Sequence, residues 1–278
     1  MISMENEKLQ KIIAHAGLCS RREAETWIKA GRVSVNGSIA ELGDRASGKD
    51  KIRVDGKILQ VTAKEDFQRR MLAYHKPEGE ICSRKDPQGR PTVFDNLPQV
   101  KNARWINVGR LDINTSGLMF FTNDGELANR LMHPTHQIMR KYAVRVRGQV
   151  TEEIIKKLTR GVELEDGYAK FESINDAGGE GSNHWYHVVL REGKNREVRR
   201  MWEAVETQVS RLHRIQYGSF ELPRSLKRGR WSELDLKELG VFEELVGLKK
   251  SVSAKTLQQS NRKRQTNKRL KARKIHRR

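Results

Sequence analysis

Gly109-Arg110-Leu111-Asp112-Ile113-Asn114-Thr115-Ser116-Gly117-Leu118, running on through Met119-Phe120-Phe121 to Thr122-Asn123-Asp124-Gly125-Glu126, is the densest polar constellation in the chain. One strand ends near Val108 and a second covers 117–122, so the polar run between Gly109 and Gly117 is a loop held at both ends. A helix over 124–133 opens at Asn123/Asp124. Loops fixed by rigid strands are where reactive groups are displayed. By spacing alone, Arg110 and Asp112 make a surface turn with a weak ion pair. Their weight comes from the rest of the chain.

Outward from this loop, the pattern predicts strands at 71–75, 104–108, 141–147, 184–191 and 209–217, and helices at 151–159 and 195–205. Tyr142-Val144-Val146 alternates cleanly with polar neighbours, as in a strand with one buried face. The region 70–248 therefore reads as α+β, a mainly antiparallel mixed sheet with flanking helices and no internal repeat. Gly178-Gly179-Glu180-Gly181 lacks the Lys-Ser/Thr of a phosphate loop and reads as a hairpin end.

Residues 1–62 form a separate small unit. Leu9, Ile12, Ile13 and Ala16 make the apolar stripe of a first helix, with Gly17 as its stop. Ser20 and Glu23 have capping-box spacing for a second helix that buries Ala24, Trp27 and Ile28. Asn36-Gly37 and Asp55-Gly56 are hairpin turns. Apolar content thins over 63–69, which reads as a linker.

The chain has 278 residues and a net charge of +20. Residues 249–278 hold 13 of the 55 Lys and Arg and none of the 35 Asp and Glu. They read as a disordered basic tail. The excess charge points to a polyanion, most simply nucleic acid. No apolar run approaches the roughly 20 residues of a membrane helix, and no secretory signal precedes the first helix. Cys19 and Cys82 form no CxxC spacing, and His133/His136 and His184/His187 lack a completing carboxylate or thiol. A cytoplasmic, reduced and metal-free chain is expected.

Gly109-Arg110-Leu111-Asp112-x-x-Thr115-Ser116-Gly117-Leu118 with Thr122-Asn123-Asp124-Gly125 resembles the central motif of the small-subunit-A-type ribosomal RNA pseudouridine synthases. Lys141-Tyr142-Ala143-Val144 is similar to their second motif, and Glu192-Gly193-Lys194-Asn195-Arg196-Glu197-Val198-Arg199-Arg200-Met201 to their third. Residues from Leu9 to Gly37 resemble the RNA-binding domain shared with ribosomal small-subunit protein four. His75-Lys76-Pro77-Glu78-Gly79-Glu80, Asp86 to Asp95, Arg200 to Val205 and the basic tail point to the branch acting on the large subunit.

The resemblance implies a cofactor-free isomerase that breaks the C1′–N1 bond of uridine, turns the base and rejoins it through C5. It makes Asp112 the carboxylate beside the ribose. Arg199 becomes the cation that ion-pairs with Asp112 and aims it. Tyr142 becomes the aromatic face and phenol near the sugar, and Arg110 the group that enters the vacated stack or holds phosphate. Direct attack at C1′ and a glycal-type elimination stay open. RNA would be held by Lys11, Arg21, Arg22, Lys29 and Arg32 on or beside the first two helices, and by Lys194 and Arg196 near the site. The implied partner is a stem-loop of large-subunit ribosomal RNA, free or in an assembling subunit, bound by a monomer. Two other readings use the same residues: a non-catalytic ribosome-assembly protein, and the same chemistry on small-subunit RNA.

Overall fold

The computed structural model describes residues 6–47, 49–60, 67–180 and 183–251. Residues 63–66 of the expected linker and 252–278 of the expected tail lie outside the described residues.

The small N-terminal unit runs β1 (Glu7–Lys8), α1 (Leu9–His15), α2 (Arg21–Lys29), β2 (Val33–Val35), β3 (Ser38–Ile39), β4 (Arg45–Ala46), β5 (Ile52–Val54) and β6 (Lys57–Ile58). Strands β3-β2-β5-β6 form an antiparallel sheet, and β1 pairs with β4. The apolar stripe of α1 meets that of α2, burying Leu9, Ile12, Ile13, Ala24 and Ile28 against Val33, Ile52 and Val54. Ser20 caps α2 by accepting from the Glu23 N–H at 3.1 Å. Trp27 is only half-buried, against the expectation of burial. Gly17 is required where α1 ends: its φ is +88°, and a Cβ would stand 2.6 Å from the Ala103 carbonyl carbon of the larger unit.

The larger unit continues with β7 (Met71–Lys76), β8 (Ile106–Val108), β9 (Ser116–Thr122), α3 (Gly125–Met132), β10 (Arg140–Arg147), α4 (Glu152–Arg160), β11 (Val162–Leu164) and β12 (Gly167–Ala169). Then follow β13 (Ser173–Glu180), β14 (Asn183–Leu190), α5 (Glu197–Glu203), β15 (Gln208–Tyr217), β16 (Phe220–Glu221), β17 (Trp231–Glu233) and α6 (Leu236–Leu245). One sheet runs β13-β14-β10-β15-β9-β7-β17, with β16 on β15 and β8 on β9. Within this sheet, among the described residues, only the β15–β9 pairing is parallel. The expected mixed, mainly antiparallel sheet is the one observed.

Strand β9 is apolar throughout because both its faces are covered. Met119 and Phe121 join a core with Leu72, Tyr142, Val144 and Trp202. Leu118 and Phe120 join another with Met71, Tyr217 and Phe242. At its start, Gly117 lies opposite Arg214. A Cβ there would stand 2.3 Å from the Arg214 carbonyl oxygen, and φ is +113°. The parallel junction in the middle of the sheet thus depends on this glycine. The expected helix over 195–205 is shorter, because Arg196 takes a left-handed φ of 49° and α5 starts after it.

Candidate active site

The loop 109–115 is anchored from behind. Lys76, at the end of β7, is fully buried. Its Nζ donates to the carbonyls of Asp112 (3.1 Å), Thr115 (2.9 Å) and Pro77 (2.9 Å). Burial lowers its pKa, and nearby Cys82, Glu80 and Asp112 partly oppose that. The Gly79 N–H donates to Ile113 O at 2.8 Å, and Cys82 Sγ contacts Leu111 O at 3.2 Å. With its backbone pinned, Asp112 presents a carboxylate whose side chain is 24% exposed.

In front of the loop lies a cavity of about 400 Å³, within the usual size of small-ligand sites, lined by Asp112, Arg110, Tyr142, Lys194, Arg196 and Arg214 among others. Tyr142, on β10, faces Val188 of β14 and Arg214 of β15 across the ladder. It is both core and cavity wall. Arg110 Nη2 stands 4.0 Å from Asp112 Oδ1, and its side chain is 70% exposed. Lys194 donates to Tyr168 O at 2.7 Å, and Arg196 pairs with Glu203 at 3.5 Å.

Arg199 departs from expectation. The ion pair with Asp112 is not formed. Its Nη1 donates to Val209 O at 2.9 Å and its Nη2 to Asn114 O at 2.8 Å. Two backbone carbonyls, one of them two residues past Asp112, have captured the terminal nitrogens. Burial lowers its pKa and Arg196 adds to that, while Asp112 is near enough to oppose it. Arg199 therefore braces the loop from beneath.

The Thr122-Asn123-Asp124 run also proves structural. Thr122 Oγ1 donates to Arg70 O at 2.8 Å, and Asn123 accepts from Arg70 N–H at 2.8 Å while donating to Gln68 O at 2.9 Å. Asp124 caps α3 and pairs with Arg69 at 2.6 Å. These residues fasten the start of the larger unit to the end of β9.

In the small unit, Lys11 pairs with Glu7 at 2.8 Å. Arg32 binds Asp55 through two hydrogen bonds, at 2.8 and 2.6 Å, and stacks over Trp27. Lys29 is exposed on α2. Arg21, Arg22 and Lys11 line a second cavity of about 420 Å³ between the two units. Met132 lines both cavities. Among the described residues no group of three or more His, Cys, Asp and Glu is placed to hold a metal. His184 does meet a carboxylate, Asp176 at 2.7 Å, which the sequence reading missed.

Two buried cations at the site, Lys76 and Arg214, received no role from sequence. Lys76 stands at the end of an apolar strand, where a lysine ordinarily reaches solvent. Arg214 shares the parity of buried Leu212 on β15; that shared face was the available signal.

Residues 70–204 match the family described as RNA pseudouridylate synthase, and residues 7–52 match the S4 domain. The chain is 57% identical over 261 residues to "Ribosomal large subunit pseudouridine synthase B" of Escherichia coli (strain K12), covering 93% of this chain and 90% of that one. It is 59% identical over 244 residues to the protein of that name from Yersinia pestis, covering 87% and 77%. A solved structure titled "Crystal structure of pseudouridylate synthase" superposes with a TM-score of 0.59 at 26% identity, covering 86% of this chain and 99% of that one.

Proposed function

The chain belongs to the RNA pseudouridylate synthases, and from that membership we propose that it isomerises one uridine in a stem-loop of large-subunit (23S) ribosomal RNA. It is an enzyme that converts uridine to pseudouridine in ribosomal RNA. The observation that carries the site assignment is the single basic cavity lined by both Asp112 and Tyr142.

In that reading the target nucleotide leaves its stack and enters the cavity. Arg110, exposed at the mouth, holds the phosphate or fills the gap. The Asp112 carboxylate meets the ribose as the C1′–N1 bond breaks. Tyr142 packs against the nucleotide and offers its phenol for proton transfer. Arg199 acts through the backbone, holding Asn114 and hence the loop that aims Asp112. Lys194 and Arg196 flank the cavity for the neighbouring phosphates. Arg21, Arg22 and Lys11 extend the basic track onto the small unit, with Lys29 and Arg32 beside it. The domains are 1–62, a linker over 63–69, and a catalytic domain over 70–248. The protein works as a monomer in the cytoplasm. Among the described residues no helix is long and apolar enough to cross a membrane.

Mapping pseudouridines in total ribosomal RNA with and without the protein tests this. One large-subunit site should vanish without it and return with wild type, but not with Asp112→Asn. Loss of a small-subunit site instead would overturn the target assignment. Restoration by Asp112→Asn would overturn the role of the carboxylate.

A further inference from the structure

Arg214 lines the Asp112 cavity from its β15 position opposite Tyr142. It is 3% exposed. Of its five N–H donors, the one on Nε goes to Leu118 O at 2.7 Å. Nη2 is buried with no hydrogen-bond partner, and the guanidinium pairs with no carboxylate among the described residues. Nor can the strand withdraw, because β15 lies against Gly117 and is fixed there. A buried charge with an unused donor and no counter-ion is unfavourable in the empty protein. The guanidinium carbon lies 5.3 Å from the centre of the Tyr217 ring, which offsets part of the charge but leaves the Nη2 donor for something electron-rich that enters the cavity.

We propose that Arg214 receives the uracil: it donates to a carbonyl oxygen of the base and holds the negative charge the base carries between leaving N1 and rejoining through C5. This deepens, and rests on, the reading of the cavity as the uridine site. The electrons balance simply. The C1′–N1 pair leaves on the uracil and spreads over N1 and the two carbonyl oxygens, while C1′, left a pair short, is met by the Asp112 carboxylate. After the base turns, a pair from C5 forms the C5–C1′ bond, the C5 proton leaves and N1 gains one. Arg214 exchanges neither electrons nor protons.

Depth selects the base over a phosphate as its partner. Arg110 and Arg196 have side chains 70% and 40% exposed, at the mouth where a continuous RNA backbone passes. Only the extruded base reaches a side chain as enclosed as Arg214. Leu190, Val198, Leu212 and Tyr217 line the same cavity, and an apolar surround makes a fixed donor far more effective than it is in water.

The test compares wild type, Arg214→Lys and Arg214→Gln on a ribosomal RNA fragment, measuring the single-turnover rate at saturating enzyme and, separately, the RNA dissociation constant. For Gln the rate should fall about 100-fold or more, the usual effect of losing a fixed charge-stabilising donor. Lys should lose less, and affinity should stay within about threefold for both. Rates within threefold of wild type would overturn the proposal. So would weakened affinity at an unchanged saturating rate, which marks a phosphate contact. A wild type that makes no pseudouridine removes the uridine-site reading itself, and Arg214 falls with it. If the variants do not fold, the wild-type chain crystallised with product RNA decides. An Arg214 nitrogen within about 3.2 Å of a pseudouridine carbonyl oxygen supports the proposal; one on phosphate, or on nothing, refutes it.

Discussion

The two sides of the 109–115 loop use positive charge in opposite ways. At the mouth, Arg110 and Arg196 are exposed and hold only long contacts to carboxylates, 4.0 and 3.5 Å. Behind the loop, Lys76 and Arg199 are buried and hydrogen-bonded to backbone carbonyls at 2.8 to 3.1 Å. Mouth cations can exchange a weak internal partner for phosphate with little desolvation. Cations behind the loop cannot move without leaving carbonyls unsatisfied. On the proposed reading, affinity for RNA and the aim of Asp112 rest on different residues, and substitutions should separate them.

The largest separation is expected at Lys76. Lys76→Met keeps the stem in its apolar site but takes the Nζ donor from the carbonyls of Pro77 and Thr115, and leaves Asp112 O with only the Thr115 N–H at 3.0 Å. Unmet buried acceptors cost about 1–3 kcal/mol each, so a total near 3 kcal/mol and a fall of about 6–12 °C in thermal midpoint are expected. Single-turnover rate should drop at least about 100-fold, since loop misplacement of this kind is enough to lose that much. Calorimetry and a rate assay on the folded protein check both. Unchanged turnover would mean that Lys76 supports the fold alone.

Arg110→Ala should do the reverse. Loss of one phosphate contact weakens RNA binding about tenfold and lowers the salt slope of log affinity by about one, with the thermal midpoint unchanged. Filter binding across a salt series measures it. A steady slope would show that Arg110 meets the stacked bases rather than the backbone.

Acid should weaken the junction from which the loop departs. His213 hydrogen-bonds Ser116 Oγ at 2.9 Å, and burial, with His75 and Arg228 adding to it, pulls its pKa down to about 4. The unfolded chain takes up this proton as pH falls through about 6.5; the folded chain resists until about 4. The stabilisation is thus complete above pH 6.5 and is lost between there and pH 4. With solvent screening, on the order of 1–2 kcal/mol is involved. Denaturant melts of wild type and His213→Gln at pH 7.5 and 4.5 should show a smaller acid loss in the variant.

Much of this was legible in sequence wherever a local period or turn governs. The β10 alternation, the two-residue turns of the small unit and the unbroken apolar run of β9 each depend on neighbours in the chain. The shared cavity of Asp112 and Tyr142 followed from motif resemblance. What stayed hidden depends on contacts between residues distant in sequence. Lys76 reaches a loop 36 positions away and Arg214 a carbonyl 96 away. Arg199 was expected to contact Asp112, yet its hydrogen bonds go to Asn114 and Val209, because a guanidinium near a loop meets several acceptors and sequence does not rank them. The hairpin β11–β12 and the strands β13, β16 and β17 were missed, being short or polar, and α6 went unnoticed despite a full capping box at Asp235.

The smallest effect expected concerns Arg32, which sequence grouped with the RNA-binding cations. Its fork is occupied by both oxygens of Asp55, and its plane lies over Trp27 at 4.9 Å. The Asp55 carboxylate is held below its usual range by that pairing. To reach phosphate, Arg32 would have to leave a planar, two-bond match for another of similar quality, so the exchange gains little. Arg22, beside the inter-unit cavity, has no ion-pair partner among the described residues and gives up nothing on binding. Arg32→Ala should accordingly change RNA affinity by less than about twofold, while Arg22→Ala weakens it several-fold, following the loss of one phosphate contact. Equal losses for the two would show that RNA pulls Arg32 off Asp55, and that internal pairing does not decide which cations meet the substrate.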